Sequence, residues 1–423
     1  MLNSLVAALL IVIPLYPKFP LLGVTGTFVS VRLEDFLVAG VFAVFLASSL
    51  RQRFSHFFSG SSRAILLYVG ISLASLFSAV FLTKTVSINL GLLHAFRRIE
   101  YMSLFFVAFS ALRDSKQLHF LIRTFLAVSL LVALYGLGQQ FLNFPVISTT
   151  NSEFSKGLAL SLGPGARINS TFAGHYDLAA FSLFPLLLIL ALLSLPTRHK
   201  WPLIITGGLI YWTMLLSASR VTFAAFFVTT ALFLWIIRRR TWIIPLLILA
   251  VISVLASPQL LGRYREFLTN RIKLSVVSSV QAAVDEEVPD ALKPTAQPED
   301  RSLNIRLNVE WPRALRALYK NPILGTGFSS VGLAVDNDYL RLLAETGIFG
   351  FAAFALVIIR FFKSSLPHLA PPRSLPQAFI VAVTCSLIGL LLNAVFIDVF
   401  EASKVALITW TFLGLAEKAK TLT

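Results

Sequence analysis

The sequence predicts an all-α, polytopic integral membrane protein: about twelve transmembrane helices and one large external loop with short amphipathic helices. Three observations carry that expectation. Of 423 residues, 57% are hydrophobic and only 13% are charged, against roughly 25% charged in a typical soluble domain. The mean hydropathy is +0.80, more apolar than a water-facing surface tolerates. The apolar residues also gather into runs approaching the roughly 20 residues that a bilayer-crossing helix needs. A soluble enzyme, a disordered chain and a fibrous repeat are thereby excluded. The lone Cys385 excludes a disulfide framework and a cysteine zinc site.

Taken in order, the apolar runs cover about 3–21, 35–50, 64–82, 98–112, 120–140, 173–195, 201–217, 221–237, 241–257, 339–359, 375–397 and 403–417. The first lacks a basic leader and a small-residue cleavage site, so it reads as a retained helix. No internal repeat is visible.

The net charge of +16 would suggest nucleic acid if it lay on one exposed face. It does not. One set of very short loops, from Arg51 to Lys420, holds 16 of the 36 basic residues and 2 of the 20 acidic ones, leaving 20 and 18 for the other side. Short loops rich in Lys and Arg face the cytoplasm. Both termini are then expected inside, and no nucleic-acid partner is expected. The outer face is nearly neutral, so any anion site there is local.

The outer loop 258–338 is 81 residues long, and structureless loops beyond about 15 residues are usually functional or disordered. Within it, 281–300 is acidic and Pro-bearing and reads as a mobile surface flap. The stretch 302–320 reads as a helix with Pro312 in its first turn and a stop at Asn321–Pro322. Arg313, Arg316 and Lys320 share one face, with Leu315 and Leu318 on another, a pattern that also suits a helix lying on lipid. Gly325-Thr326-Gly327 follows a helix stop and not a strand, so it reads as a turn and not a nucleotide cradle. A second outer loop, about 141–172, ends near Arg167.

Ionisable residues beside a span are costly and mark function by default. On the outer side they are Arg97, Arg98 and Glu100; Arg167, His175 and Asp177; Arg220; and Asp336, Asp338 and Arg341. Arg220 has almost no loop to lift it into water. It either snorkels to the headgroups or binds an anion, and several guanidinium forks at one depth suit phosphate oxygens. Neither Arg220 nor Arg306 has an obvious carboxylate partner in sequence, Glu310 apart. Asp336 is either a helix cap, a role open also to Asn337, or a general base kept ionised by nearby Arg. His175 has no second His nearby and reads as a polar helix-start residue, not a metal ligand; no cluster has zinc spacing.

Four segments in order resemble the O-antigen ligase and O-antigen polymerase family of bacterial envelope proteins: RINSTFAGHYDLAAF at 167–181, SASR at 217–220, RLNVEWPRAL at 306–315 with NPILGTGF at 321–328, and DNDYLRLLAETGIFG at 336–350. The first 160 residues are similar in hydropathy alone. The resemblance implies a multi-pass glycosyltransferase of the bacterial inner membrane. Such proteins take a glycan from a polyprenyl-pyrophosphate-linked oligosaccharide and pass it to a glycan or lipid acceptor on the outer face, without a cofactor or metal. It implies Arg220, Arg306 and Arg167 as pyrophosphate-binding residues; His175, beside Arg167 in the first of these segments, is placed with them in the substrate-binding set. Asp336 becomes the acceptor-activating residue, and Asn337 and Tyr339 orient substrate. The ligases of the family carry His where this chain has Asp336, so the resemblance leans to the polymerase or exopolysaccharide branch. The alternative is a transporter of a lipid-linked sugar or an anion, with the same Arg ring and no chemistry.

Overall fold

The structure is a computed structural model that describes residues 1–17, 20–23, 30–51, 60–147, 159–160, 166–196, 200–257, 261–262, 305–332 and 335–423. The acidic flap expected at 281–300 lies outside the described residues, as does most of 258–304.

The protein is an all-α, polytopic membrane protein. Each expected span corresponds to a helix: α1 (Leu2–Leu15), α2 (Leu33–Arg51), α3 (Gly60–Phe77, continued by a π-turn at Ser78–Leu82), α4 (Ile88–Ala111), α5 (Ser115–Phe141), α6 (His175–Leu193), α7 (Trp201–Leu216), α8 (Arg220–Ile236) and α9 (Ile243–Ala256). After the short α10 (Trp311–Lys320) come α11 (Asp338–Ser365), α12 (Leu375–Asn393) and α13 (Ser403–Ala419). Two short antiparallel hairpins, β1 (Pro20–Gly23) with β2 (Ser30–Arg32) and β3 (Val146–Ile147) with β4 (Ala159–Leu160), sit beside helix ends. By length and apolarity, six helices among the described residues can cross a membrane alone: α2, α3, α5, α6, α11 and α12. Helices α1, α7, α8 and α9 are apolar but shorter. Helices α4 and α13 fall outside both groups because they carry charge, Arg97, Arg98 and Glu100 in one and Lys404, Glu417 and Lys418 in the other.

Burial grades the helices. In α12 and α13 nearly every residue is buried, whereas α9 buries only Ser253, whose hydroxyl meets Tyr211 Oη at 2.5 Å. Lipid tails are as apolar as leucine, so these helices associate by close packing and interhelical hydrogen bonds. Thr222 Oγ1 donates to Asn393 Oδ1 at 2.6 Å, and Ser170 N donates to Gln139 Oε1 at 2.8 Å.

The chain alternates between two ends. At one end Ser61 of α3, Ser364 of α11 and Lys420 all meet Glu417, and Thr423 meets His368. The other end gathers the starts of α8, α11 and α13, the end of α12 and the segment before α6. There Pro14 O, at the end of α1, accepts from Thr171 Oγ1 and Lys404 Nζ. Both termini therefore lie at the end away from that gathering.

Helix α11 is broken at Gly347, with φ 68° and ψ −172°. The expected turn at Gly325-Thr326-Gly327 docks into the break. Thr326 N and Gly327 N donate to Ala344 O and Glu345 O at 2.9 Å, and Ile348 N donates to Pro322 O at 2.8 Å. A side chain on Gly347 would stand 2.2 Å from Ile323 O. Only glycine combines that φ with that approach.

Helix α10 forms as expected, with Pro312 in its first turn and Asn321 at its end. Ala314 is the residue of this helix that is buried, against Val331, Val335 and Ala344. Arg313, Arg316 and Lys320 are exposed, and so are Leu315 and Tyr319.

Candidate active site

The site is built on helix starts that share the end of α12. In the SASR turn, Ala218 takes φ 49°, and Ser219 caps α8. Through Thr222 the first turn of α8, with half-buried Arg220, is tied to Asn393. One residue further on, Ala394 O accepts from Asp338 N at 2.9 Å and fixes the start of α11. Arg220 and the Asp336 segment are thus held at the same end of one buried helix.

Asp336 precedes that start in a left-handed conformation, φ 51°. Its carboxylate pairs with Arg306, whose Nη2 and Nε reach Oδ2 at 2.7 and 2.9 Å. Sequence reading offered only Glu310 as a partner for Arg306. The structure corrects this, because folding closes the 30 residues between Arg306 and Asp336. Arg306 lies in the π-turn Arg306–Glu310 and is buried, with Tyr176 near enough to act on its charge. Tyr176 stacks on His175, ring centroids 4.0 Å apart, and His175 Nε2 meets Arg167 Nη1 at 2.8 Å. Arginine only donates, so His175 Nε2 accepts and the ring is neutral in that contact. One continuous chain of contacts therefore joins Arg167, His175, Tyr176, Arg306 and Asp336.

Burial pushes the Asp336 carboxyl above the ordinary carboxylate value, against the pull of Arg306. Desolvation thus outweighs the nearby charge at this group. Arg306 is raised above its ordinary value: burial works against the charged form, but Asp336 and Tyr176 outweigh it.

Asn337, and not Asp336, is the cap of α11: its Oδ1 accepts from Leu340 N at 2.9 Å. Tyr339 Oη donates to Leu391 O at 2.7 Å. Both side chains thus serve helix placement in this structure. Asp338 turns away from Arg306 and accepts from Phe400 N at 3.1 Å.

Sequence reading missed Asp398. It lies in the connector between α12 and α13, and its Oδ2 accepts from Val335 N and Asp336 N, its Oδ1 from Asn337 N, each at 3.1 Å. Arg341 Nη2 donates to Asp398 Oδ2 at 2.8 Å. Burial alone would raise the Asp398 carboxyl, but Arg341 and these backbone N–H groups hold it below the ordinary value. The signal available was an acid isolated in the apolar run NAVFIDVF at 393–400. A further pair of contacts, Arg98 with Glu401 and with Glu345 at 3.7 Å, extends the polar layer to α4.

Residues 204–355 match the family model described as O-antigen ligase. That segment, about a third of the chain, is similar to the O-antigen ligase family. The matched segment contains Arg220, Arg306, Asp336, Asn337 and Tyr339, while Arg167 and His175 precede it. No curated protein matches the chain. The matched segment holds α8, the Arg306 turn and the start of α11, and α6 and α12 lie around it. Among the described residues no group of three His, Cys, Asp or Glu side chains is arranged to hold a metal ion.

Proposed function

We propose that this protein transfers a glycan from a polyprenyl-pyrophosphate carrier to an acceptor sugar hydroxyl, at the end of the bundle that carries Arg220, Arg306 and Asp336. The acceptor oxygen attacks the anomeric carbon of the donor. The bond from that carbon to the pyrophosphate breaks, the pyrophosphate leaves with the electron pair, and the hydroxyl proton passes to Asp336.

The observation that carries this reading is the Arg306–Asp336 pair, made inside the segment that matches the O-antigen ligase model, with the Arg167–His175 contact linked to it and Arg220 at the same end of α12. An entering pyrophosphate competes for the Arg306 fork and releases the Asp336 carboxylate for its proton. Guanidinium groups fixed in place neutralise the charge that develops on the leaving group, as a metal would. A carboxyl raised by burial is a stronger base than an ordinary one. In this reading the site end, with the 258–338 segment, faces outward from a bacterial inner membrane, and both termini face the cytoplasm. Asn337 and Tyr339 hold substrate indirectly, through the start of α11.

The test uses the purified protein and a lipid-linked oligosaccharide, with polyprenyl pyrophosphate as the product read. Arg306→Ala and Arg220→Ala should each abolish release, and Arg220→Lys should already be harmful because a point charge does not replace the fork. Movement of intact lipid-linked sugar across a vesicle, with no pyrophosphate released, would establish the transporter instead.

A further inference from the structure

At the end of the bundle away from the site, a crevice of about 700 Å³ opens between α8, α11 and α12. Its walls are apolar: Leu232 and Ile236 from α8, Phe362 from α11 and Ile388 from α12. Arg238 and Arg240 lie on its rim. Arg238 closes α8 with φ 60°, and the Arg240 guanidinium lies over the Trp235 ring, 5.4 Å from its centre.

Two further facts give this crevice an occupant. Arg238, Arg239 and Arg240 are exposed, and no carboxylate pairs with them among the described residues. The depth of the rim is marked by tryptophans: Trp201, Trp235 and Trp242 are all more than half exposed and all stand at this end. Exposed tryptophan belts mark the headgroup level. An apolar groove that rises to unpaired guanidinium groups at headgroup level is complementary to a lipid with an acidic head. A zwitterionic lipid also brings a phosphate, but its ammonium cancels that charge and leaves the arginines uncompensated.

We propose that this crevice is a binding site for an anionic phospholipid, with one acyl chain along Leu232, Ile236, Phe362 and Ile388 and the phosphate at Arg238 and Arg240. The site stands apart from the Arg306–Asp336 pair and does not depend on the transfer chemistry. It joins the ends of α8 and α11 to the middle of α12, three helices whose other parts, the starts of α8 and α11 and the end of α12, build the candidate active site.

The experiment titrates the full-length protein in detergent with phosphatidylglycerol or phosphatidylcholine of identical chains, and reads bound lipid by native mass spectrometry and the thermal midpoint alongside. Phosphatidylglycerol should bind about 25-fold more tightly, since each of the two basic residues at the surface contributes roughly a fivefold preference for acidic lipid. Arg238→Gln with Arg240→Gln should remove that preference and leave weak binding of both lipids. Ile388→Trp should fill the groove and weaken both. Equal binding of the two lipids by the natural protein, or a preference that survives the double substitution, would overturn the assignment. Both arginines are exposed, so their loss leaves the bundle folded, and a midpoint without lipid unchanged from the natural protein checks this.

Discussion

Asp336 sits where a side chain is rarely placed, in a left-handed backbone conformation, with two backbone N–H groups on either side of it tied to Asp398. Asp and Asn tolerate that conformation better than other non-glycine residues. Asp336→Asn therefore keeps the turn and loses the base. Expected is near-normal folding with transfer slowed by more than about a hundredfold, the lower bound of what a general base supplies; residual activity within about tenfold would leave Asp336 with only a structural part. The pH dependence follows from the same residue. Its carboxyl is raised, so the deprotonated base appears at a higher pH than for an ordinary aspartate, and the rate should climb through a limb above pH 3.8. That limb should vanish in Asp336→Asn. The folded form holds this proton to higher pH than the unfolded chain, so the group favours folding below the limb and less so above it. Asp398 works in the other sense: its contribution is present above the ordinary value and is lost as pH falls through its lowered one. The Arg306–Asp336 pair itself was not legible in the sequence, because nothing local says which of several arginines folding brings to a carboxylate 30 residues on. Tyr176 was passed over for the same reason, although it adjoins His175, which was singled out.

At the scale of elements, the apolar runs were legible because a bilayer imposes length and apolarity together, and no soluble context competes with that signal. Helix ends were less so. The run read as 98–112 begins ten residues earlier, at Ile88, because Arg97, Arg98 and Glu100 interrupt the hydropathy while the backbone continues as helix. The break in α11 was hidden too, since a glycine in an apolar stretch looks like any small residue of a membrane helix. Its cause is tertiary: the 321–327 turn occupies the gap and donates to carbonyls that the helix leaves open. Gly347→Ala meets both a positive φ and a backbone atom at 2.2 Å. It should cost about 3 kcal/mol, the sum expected from a left-handed strain and an overpacked contact. The check is a thermal or denaturant midpoint in detergent. Activity should fall with it, because Glu345 and Arg341, on the site side of the break, lean on the same polar layer as Asp398.

For the whole molecule, the division of charge and the division of chemistry coincide. Among the described residues Arg238, Arg239 and Arg240, at the end with the two termini, pair with no carboxylate, whereas Arg306, Arg341, Arg98 and Arg97 at the other end are paired with acids. A topology signal must stay uncompensated to bias orientation, and it needs only short loops. A reaction centre needs the reverse, with each buried charge satisfied until substrate displaces a partner. This is why the sequence-level count of 16 basic against 2 acidic residues reads so clearly as orientation and says so little about the site. The orientation itself is testable with little background, because the only cysteine, Cys385, is buried in α12. Single cysteines at Tyr319 and at Thr423, both exposed, lie on opposite ends of the bundle. In intact cells an impermeant maleimide should label Tyr319→Cys, on α10 beside the Arg306 turn, and should reach Thr423→Cys only after the membrane is opened. Labelling in the opposite order would turn the site toward the cytoplasm, where an acceptor on the outer face could not meet Asp336, and would sink the outward transfer with it.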